Sequence, residues 1–323
     1  MRKLILPVLL IAIFALMPLI AELVGKNALM TLSARILMYA MAAASLNLIL
    51  GYGGMVSFGH AAYFGVGAYV VGILYSHWMS EVPIFGLFPG SNQLLVTLPI
   101  AMIVSGLAAL LIGALSLRTG GVQFIMITLA FAQMIFFLFV SLTAYGGEDG
   151  IIIRRANEVP GLNMRDKTTV YYVILVVAVL YFAWMWRVVN SSFGQVLKGI
   201  RQNERRMEAM GIATYRYKLY AFVLAGMGAG LAGALMANFL RFTSPDMMHW
   251  TKSGEMIIMV ILGGLGTFFG PILGAAAFLI LEFYLADWTE HWQLALGLIL
   301  LVVVLFTKGG IMGVIARLKG GRE

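Results

Sequence analysis

Long apolar runs separated by short polar breaks make up almost the whole chain. A helix that crosses the ~30 Å hydrocarbon core of a bilayer needs about 20 apolar residues. The pattern predicts ten transmembrane helices, at residues 4–24, 30–50, 59–76, 94–117, 121–143, 170–187, 218–240, 253–266, 271–285 and 292–307. The run at 170–184 is apolar on every side, whereas strands of a membrane β-barrel alternate in polarity over ~10 residues. We therefore expect an all-α polytopic membrane protein, with one transmembrane domain over residues 1–323.

Three of the ten runs depart from a simple membrane helix. The eighth and ninth are short, and they could form one broken, re-entrant unit instead of two spans. The first follows Arg2 and Lys3 and so imitates a secretory signal. Its apolar stretch is longer than the core of about 7–15 residues that such signals have. We interpret it as an uncleaved first span.

The distribution of charge predicts the orientation. Residues 187–218 carry seven basic side chains against two acidic ones, and both ends of the chain are basic. Cytoplasmic loops of membrane proteins are enriched in Lys and Arg, so we expect this segment and both termini to be cytoplasmic. The loops 77–93 and 286–291 have acids but no Lys or Arg and are expected outside, and ten spans satisfy all these positions. The loop 145–169 has four residues of each sign and gives no preference.

Composition narrows the class of protein further. Only 11% of the residues are charged, against about 25% in soluble domains. The net charge of +8 is confined to a few loops, which the orientation rule explains without nucleic acid as a partner. Cysteine is absent, and the four histidines lack metal-binding spacing, so we expect no disulfide, metal site or resident cofactor.

Two glycine-rich stretches interrupt the apolar pattern. Residues 53–65 (GGMVSFGHAAYFG) and 263–275 (GGLGTFFGPILGA) each have Gly-Gly, then a hydroxyl residue and Phe, then Gly and small residues. Weak internal similarity of this kind is typical of repeated transporter halves, and we predict two pseudo-repeated halves, spans two to five and seven to ten. Small residues spaced by four also predict close helix packing in lipid, at Gly226, Gly230 and Ala234 and at Gly266, Gly270 and Gly274.

Some polar residues and glycines lie within or at the ends of the apolar spans. Non-helical backbone at membrane depth is tolerated only inside protein or beside a water-filled cavity. Several of these residues are therefore candidates for a translocation path, although packing alone is the simpler explanation of each: Ser57, His60, Gln123, Thr128, Gly264 and Thr267. Glu282 is an intramembrane acid, which is energetically expensive. We expect it to be paired, protonated or near an interface.

Residues 191–212 (SSFGQVLKGIRQNERRMEAMGI) form a long polar segment between the sixth and seventh apolar runs and are the most informative stretch of the chain. Ser192 and Gln195 have the spacing of a capping box, apolar residues recur at helical spacing, and Gly211 stands where a helix would stop. The segment is predicted to be one amphipathic helix. It could lie on anionic lipid, cover its own bundle, or fit a groove on a partner protein.

Five stretches, in order along the chain, resemble the permease subunits of branched-chain amino-acid ABC importers, the LivM type. They are GYGGMVSFGHAAYFGVGAY at 51–69, GVQFIMITLAFAQ at 121–133, GGEDGI at 146–151, the segment at 191–212, and LGGLGTFFGPILGA at 262–275. The resemblance covers most of the chain. It implies the architecture of the larger, vitamin B12-type importers, which have ten spans and a coupling loop between spans six and seven.

The resemblance also implies a function. The chain would be the non-enzymatic transport subunit that moves branched-chain or other hydrophobic amino acids across the bacterial inner membrane by alternating access. Related permeases serve urea, short amides or aromatic acids, and a secondary carrier or channel is the remaining alternative. The implied partners, besides membrane lipid, are a LivH-like second permease, two cytoplasmic ATPase subunits and a periplasmic binding protein. The chain has no phosphate-binding G-x-x-x-x-G-K-[ST] loop, so Mg-ATP would be used by the ATPases.

Two sets of residues acquire roles from the resemblance. In the segment at 191–212, the residues expected to couple the chain to an ATPase are Arg201, Asn203, Glu204, Glu208, Ala209 and Gly211. In GGEDGI, Gly147 and Asp149 are candidates for an outer gate or for docking of the binding protein. Gly-Gly and Asp-Gly also favour tight turns, which is the alternative explanation of that motif.

Overall fold

The computed structural model describes residues 2–84, 86, 88–288, 291–306 and 309–318 of the chain. Helices dominate, and every predicted apolar run contains one. They are α1 Arg2–Val24, α2 Asn27–Asn47, α3 His60–Ser80, α4 Leu94–Ser116, α5 Gly121–Ser141, α6 Lys167–Asn190, α7 Ser192–Gln202, α8 Glu204–Ala209, α9 Thr214–Leu240, α10 Trp250–Gly263, α11 Gly270–Trp288, α12 Trp292–Phe306 and α13 Gly310–Leu318. A π-helical stretch, Leu48–Tyr52, continues α2.

Seven of the described helices are long and apolar enough to cross a membrane: α1, α2 with its π-helical extension, α4, α5, α6, α9 and α11. This confirms the predicted all-α polytopic class. The other three predicted spans correspond to α3, α10 and α12. The 14 residues of α10 cover only about 21 Å at 1.5 Å per residue, less than the ~30 Å hydrocarbon core. The count of ten spans therefore stays a prediction.

One end of the molecule is marked by a small two-stranded ribbon. Strand β1, Ile151–Ile152, pairs antiparallel with β2, Phe242–Thr243. The connection before α4 joins the same region, because Glu158 donates its N–H to the carbonyl oxygen of Asn92 at 2.7 Å. We call this the ribbon end. It carries the segments 81–84, 88–93, 142–166 and 241–249.

The opposite end carries α7 and α8, between the end of α6 and the start of α9, and we call it the α7 end. Phe193 of α7 stacks on Tyr217 of α9 with ring centroids 5.8 Å apart. Tyr215 donates its hydroxyl to the carbonyl oxygen of Ala114, near the end of α4, at 2.9 Å. The loops predicted to lie on opposite sides, before α4 and between α6 and α9, are indeed at opposite ends. The charge-balanced loop 145–169 lies at the ribbon end.

Two units, each made of an α-helix, a connecting segment and a second α-helix, run in opposite directions through the molecule. In the first, α2 leads through residues 53–59 into α3; in the second, α9 leads through residues 241–249 into α10. The starts of α3 and α10 meet, because the backbone N–H of Ala61 donates to Ser253 Oγ at 2.9 Å. From there α3 runs to the ribbon, which it contacts, and α10 runs to the α7 end.

The predicted correspondence of residues 53–65 with 263–275 is therefore wrong in position. The segment equivalent in place to 53–59 is 241–249, between the seventh and eighth apolar runs. Residues 264–269 instead connect α10 to α11 and touch the end of the first unit directly. The two stretches look alike because both form close-packed turns, which need glycine. A repeat of the complete halves stays a prediction.

Small residues allow α3, α4 and α9 to approach closely, as predicted for the stripe in α9. A Cβ on Gly230 would overlap Ser105 of α4, and a Cβ on Gly67 of α3 would overlap the backbone of Gly230. The second predicted stripe is only partly helical. Gly266 lies in the loop between α10 and α11 with φ +73°, whereas Gly274 belongs to α11 and packs against the backbone of α10.

The predicted single helix over residues 191–212 consists of two helices, α7 and α8, that meet at Asn203. The backbone of Asn203 is extended, with φ −160° and ψ 99°. Its side chain caps α8 by accepting the N–H of Arg206 at 3.0 Å. Asparagine favours this capping role over a place inside a helix, which explains the break.

The structure differs from the sequence prediction at the start of this segment and agrees with it at the end. The capping box at Ser192 is wrong, because the residue at the N-cap is Ser191, whose hydroxyl donates back to Val188 at 2.7 Å. The stop at Gly211 is confirmed. Gly211 has φ +82°, and Ile212 donates its N–H to the carbonyl oxygen of Met207 at 3.1 Å, as in a glycine-terminated helix.

Candidate functional site

The end of α2 and the glycine-rich loop between α10 and α11 meet at the α7 end through one side chain, that of Asn47. Its Nδ2 donates to the carbonyl oxygen of Thr267 at 2.9 Å, and its Oδ1 accepts the N–H of Gly266 at 3.0 Å. An amide can donate and accept at the same time, and Asn47 is buried. It therefore ties the loop between α10 and α11 to the end of α2.

Arg201 brings α7 to the same place. It lies in the last turn of α7, and its guanidinium donates to the carbonyl oxygen of Gly51 in the π-helical stretch. Leu197 and Ile200 are buried on the inner face of α7. The apolar face of α7 thus covers its own bundle, one of the three predicted alternatives. We call the connected set the junction: Asn47, Gly51, Arg201, Gly266 and Thr267.

Both glycines of the junction are required by close approach. A Cβ on Gly51 would overlap the side chain of Asn47 and lie 2.5 Å from the backbone nitrogen of Gly266. A Cβ on Gly266 would lie 2.9 Å from Nη1 of Arg201, and its φ of +73° disfavours any other residue. The junction therefore depends on close backbone contact between the π-helical end of α2 and the loop between α10 and α11, which are distant in sequence.

Three of the predicted path residues lie near the start of α3. Ser57 accepts the N–H of Gly59 at 3.2 Å, and Nε2 of His60 lies 2.8 Å from Ser45 Oγ. Thr128 of α5 lies beside this turn, because a Cβ on Gly59 would reach 2.8 Å from its carbonyl oxygen. The side chains of Ser57, His60 and Thr128 are fully buried, so in this conformation none is open to solvent.

The other predicted path residues lie elsewhere. Thr267 belongs to the junction and donates its hydroxyl to the carbonyl oxygen of Gly264 at 2.7 Å. Gly264 caps α10 with φ +121°. Gln123 is exposed in the first turn of α5. The six residues therefore do not line one common path in this conformation. Three lie near the start of α3, two lie at the end of α10 and in the loop that follows it, and Gln123 is exposed.

The remaining coupling candidates lie on and beside α8. Glu204 forms an ion pair with Lys218 of α9, and Glu208 accepts the hydroxyl of Thr214, the first residue of α9, at 2.9 Å. None of the six residues of α8 is buried, and Ala209 is exposed. α8 is therefore anchored to α9 at both of its acids and open along the rest of its surface.

Gly147 and Asp149 lie at the ribbon end, in a 3-10 turn that precedes β1. Gly147 is buried with φ +51°, and Asp149 donates its backbone N–H to Gly146 at 3.0 Å while its side chain is exposed. The turn explanation of this motif is confirmed. A role in gating or docking stays a prediction.

Two ion pairs lie within or at the ends of predicted spans, and sequence reasoning named only Glu282. Arg35 of α2 pairs with Glu282 of α11 at 3.2 Å, with side chains 33% and 21% exposed. Lys252 pairs with Glu255 in α10 at 2.7 Å. Tyr39 of α2 is close enough to both pairs to interact with their charges. Partly exposed charges are costly against lipid, so this face needs water or protein beside it.

Metal binding finds no support in the described part of the chain, where no three His, Asp or Glu side chains are grouped so as to hold an ion. Asn47 and Arg35 could have been found in the sequence, since each interrupts the same apolar run. The pairing of Asn47 with the loop between α10 and α11, and of Arg35 with Glu282 of α11, could not have been found in this way.

The known proteins that this chain resembles are permease components of transport systems. The family model described as "Branched-chain amino acid transport system / permease component" matches residues 28–305. The high-affinity branched-chain amino acid transport system permease protein LivM of Salmonella typhimurium is 25% identical over 300 residues, covering 85% of this chain and 68% of that protein. The probable LivM of Methanocaldococcus jannaschii is 26% identical over 290 residues, covering 81% and 82%.

A shorter match extends the range of relatives. The autoinducer 2 import system permease protein LsrC of Yersinia pseudotuberculosis is 28% identical over 138 residues, covering 39% of this chain and 38% of that protein. No solved structure matches the chain. Because the family model covers most of the sequence and the fold is that of a multi-pass membrane protein, this chain belongs to the family of branched-chain amino acid transport system permease components.

Proposed function

We propose that the chain is the transmembrane subunit of an ATP-driven importer that moves branched-chain or other hydrophobic amino acids across a bacterial inner membrane. The names of the LivM relatives support this substrate class. Another small solute, such as urea, a short amide or an aromatic acid, is the alternative within the family. The observation that carries the proposal is the contact of Arg201 with Gly51, which links α7 to the π-helical end of α2 and, through Asn47, to the loop between α10 and α11.

The α7 end is the cytoplasmic end in this proposal, because it carries the excess of Lys and Arg. Both termini then lie in the cytoplasm. The open surface of α8, with Glu208, Ala209 and the exposed Met210, docks in a groove on a cytoplasmic ATPase subunit. Two such subunits bind and hydrolyse Mg-ATP, and a periplasmic binding protein delivers the solute at the ribbon end.

The junction converts movement of α7 into a change in the shape of the translocation path. When the ATPases close, α7 and α8 shift together, and Arg201 pulls on the carbonyl of Gly51. Because Asn47 holds Gly266 and Thr267, the end of α2 and the loop between α10 and α11 either move together or separate. Either response changes access from the α7 end, as alternating access requires.

The face with the two ion pairs is the natural boundary of the path. Arg35, Glu282, Lys252 and Glu255 are partly exposed, and charges at membrane depth usually face water or protein. A second, LivH-like permease packed against this face would enclose a hydrated passage between the two subunits. His60 and Thr128 would line it only after the starts of α3 and α10 move apart.

The test uses the complete complex in proteoliposomes and measures ATP-driven uptake of labelled leucine. Glu208→Gln keeps an acceptor for Thr214 but removes the charge, and deletion of Gly211 removes the left-handed stop after α8. Both variants are expected to lose uptake while the assembled complex remains in the membrane. Normal ATP-driven uptake by both variants would contradict the coupling role. Uptake by the lone chain without ATPases would instead indicate a secondary carrier.

A further inference from the structure

Charged side chains from three helices lie at one level of the molecule, where α10 and α11 pack against α2. Arg35 precedes Asn47, the last residue of α2, by twelve residues, and Glu282 follows Gly270, the first residue of α11, by twelve residues. At 1.5 Å per residue, both are about 18 Å along their helices from the α7 end. Lys252 lies eleven residues before the end of α10 and so is at nearly the same level. This level is near the middle of a ~30 Å hydrocarbon core.

The charges at this level balance one another, and each is partly exposed. Arg35 pairs with Glu282, and Lys252 pairs with Glu255, whose side chains are 35% and 24% exposed. Tyr39 is close enough to interact with all four charges, and Lys252 is close enough to interact with Glu282 as well as with Glu255. Exposed charges at membrane depth usually mark the path of a solute. A neutral set with both signs fits a solute that itself carries both signs.

The two ion pairs differ in whether helix movement can open them. Lys252 and Glu255 are three residues apart on α10, so movement of that helix carries both together. Arg35 and Glu282 belong to different helices and are 247 positions apart. The same two helices are tied at the α7 end, where Asn47 holds the loop that leads into α11. A movement that separates α2 from α11 at the junction can therefore open the pair between Arg35 and Glu282 but not the pair within α10.

We propose that the opened pair binds a zwitterionic solute, with the solute carboxylate on Arg35 and its ammonium on Glu282; this rests on the proposed function. A guanidinium can hold a carboxylate through two parallel hydrogen bonds, and an ammonium offers three donors to a carboxylate. Separated charges that stay unpaired at membrane depth are costly. A solute that pairs with both side chains removes that cost, so it stabilises the open arrangement.

The same chemistry separates amino acids from the other solutes considered for this family. Urea and short amides carry no charge, so neither Arg35 nor Glu282 gains a charged partner from them. An aromatic acid without an ammonium satisfies Arg35 but leaves Glu282 unpaired. A zwitterion alone replaces both halves of the broken pair. Solute choice is therefore made within the membrane by this chain, in addition to the choice made by the binding protein.

The experiment measures binding of labelled leucine to the complete permease–ATPase complex in nanodiscs without the binding protein, so that only the permease selects. Two competitors keep the leucine side chain: leucinol lacks the carboxylate, and isocaproate lacks the ammonium. In the wild type, each is expected to compete about tenfold more weakly than unlabelled leucine, because each loses one set of charged hydrogen bonds.

Each variant of the pair is expected to remove one preference. In Arg35→Gln, leucinol should compete within about threefold of leucine while isocaproate stays about tenfold weaker, and Glu282→Gln should show the reverse. Arg35→Lys keeps the charge but not the planar fork. It should reduce the disadvantage of leucinol only in part, and it serves if Arg35→Gln does not assemble. Lys252→Gln is the matched control at the same level, and it should change the affinities for leucine, leucinol and isocaproate by one common factor.

The outcomes distinguish this site from a structural ion pair. Preferences that stay the same in Arg35→Gln and Glu282→Gln as in the wild type would overturn the proposal, as would competition by urea at the concentration at which leucine competes. ATP-driven uptake of leucine by the complete complex with its binding protein is measured in parallel. Uptake without any preference among the three compounds would overturn the zwitterion site alone. A wild-type complex without ATP-driven uptake would contradict the proposed function itself.

Discussion

The junction and a cavity at the ribbon end use the same side chain in opposite ways. In the junction, Arg201 is committed to a backbone carbonyl, and Asn47 beside it has both its donor and its acceptor occupied. Four arginines at the ribbon end line a cavity that we call the arginine cavity: Arg154, Arg155, Arg165 and Arg241. There, Arg154 and Arg155 are exposed, and none of the described ion pairs includes them. The arginine of the first region is bonded within the protein, and the arginines of the second have no ion-pair partner among the described residues.

The difference teaches what each end of such a permease has to do. A guanidinium that is already bonded to a moving segment can transmit displacement, but it has fewer free N–H groups with which to bind a partner protein. Free guanidiniums can recognise a partner, but they do not hold the fold together. Placing the bonded set at the α7 end and the free set at the ribbon end separates transmission from recognition. Variants of the junction and changes of ionic strength test that separation, and the largest effect is expected at the junction.

The strongest way to break the junction is Gly51→Ala. Its Cβ would overlap Asn47 and the backbone of Gly266, and overpacking of this kind costs about 1–3 kcal/mol. We expect a lower melting temperature of the purified complex in detergent and loss of ATP-driven uptake. Gly120→Ala is the matched control, because a Cβ there meets no atom within 4 Å. Equal melting temperatures of the two variants would show that Gly51 does not approach Asn47 and Gly266 this closely.

Removing the amide of the junction should have the next largest effect. Asn47→Ala leaves the N–H of Gly266 and the carbonyl of Thr267 without their partner, and each unsatisfied group costs about 1–3 kcal/mol when buried. Both groups are only part-buried, so we expect the lower end of that range in a denaturant titration. Asn190→Ala removes an exposed amide that bonds within its own helix. A loss no greater than that of Asn190→Ala would count against the bridging role of Asn47.

Part of this arrangement could be predicted from the sequence. Apolar runs located the long helices because each must be apolar over about 20 residues. Gly211 revealed the end of α8, since a left-handed stop favours glycine. Clusters of glycine in apolar runs revealed that residues 53–59 and 264–269 are unwound. All of these signals are local, and they depend on the conformation of a few neighbouring residues.

The rest depends on contacts between distant residues. Asn47 and Thr267 are 220 positions apart, and nothing near either residue indicates the other. The arginine cavity was hidden for a different reason. Equal numbers of acids and bases along the loop 145–169 cancel in any count, and only the fold shows that Asp166 is used as a helix cap while the arginines face one cavity. Pairing and segregation of this kind are decided by packing.

A milder change tests transmission without breaking the junction. Arg201→Lys keeps the charge but replaces the planar fork with a single ammonium, which is not an equivalent partner at a fixed carbonyl. A hydrogen bond to a charged group is worth about 1.5–3 kcal/mol, so we expect solute moved per ATP hydrolysed to fall about tenfold. Arg205→Lys, an exposed position on α8, is the control. Unchanged coupling in Arg201→Lys would assign the link to α7 packing alone.

The smallest effect is expected from salt, and it separates the two regions within the wild-type complex. Raising ionic strength from about 0.1 M to about 1 M shortens the screening length from about 10 Å to about 3 Å. Exposed charges that attract a partner are weakened, so the concentration of binding protein that half-maximally stimulates ATPase activity should rise. The bond from Arg201 to Gly51 is part-buried, so the amount of solute moved per ATP hydrolysed, measured at saturating binding protein, should stay constant. A coupling ratio that falls with salt would mean that transmission depends on exposed charge, and the distinction between a bonded and a free set of arginines would be lost.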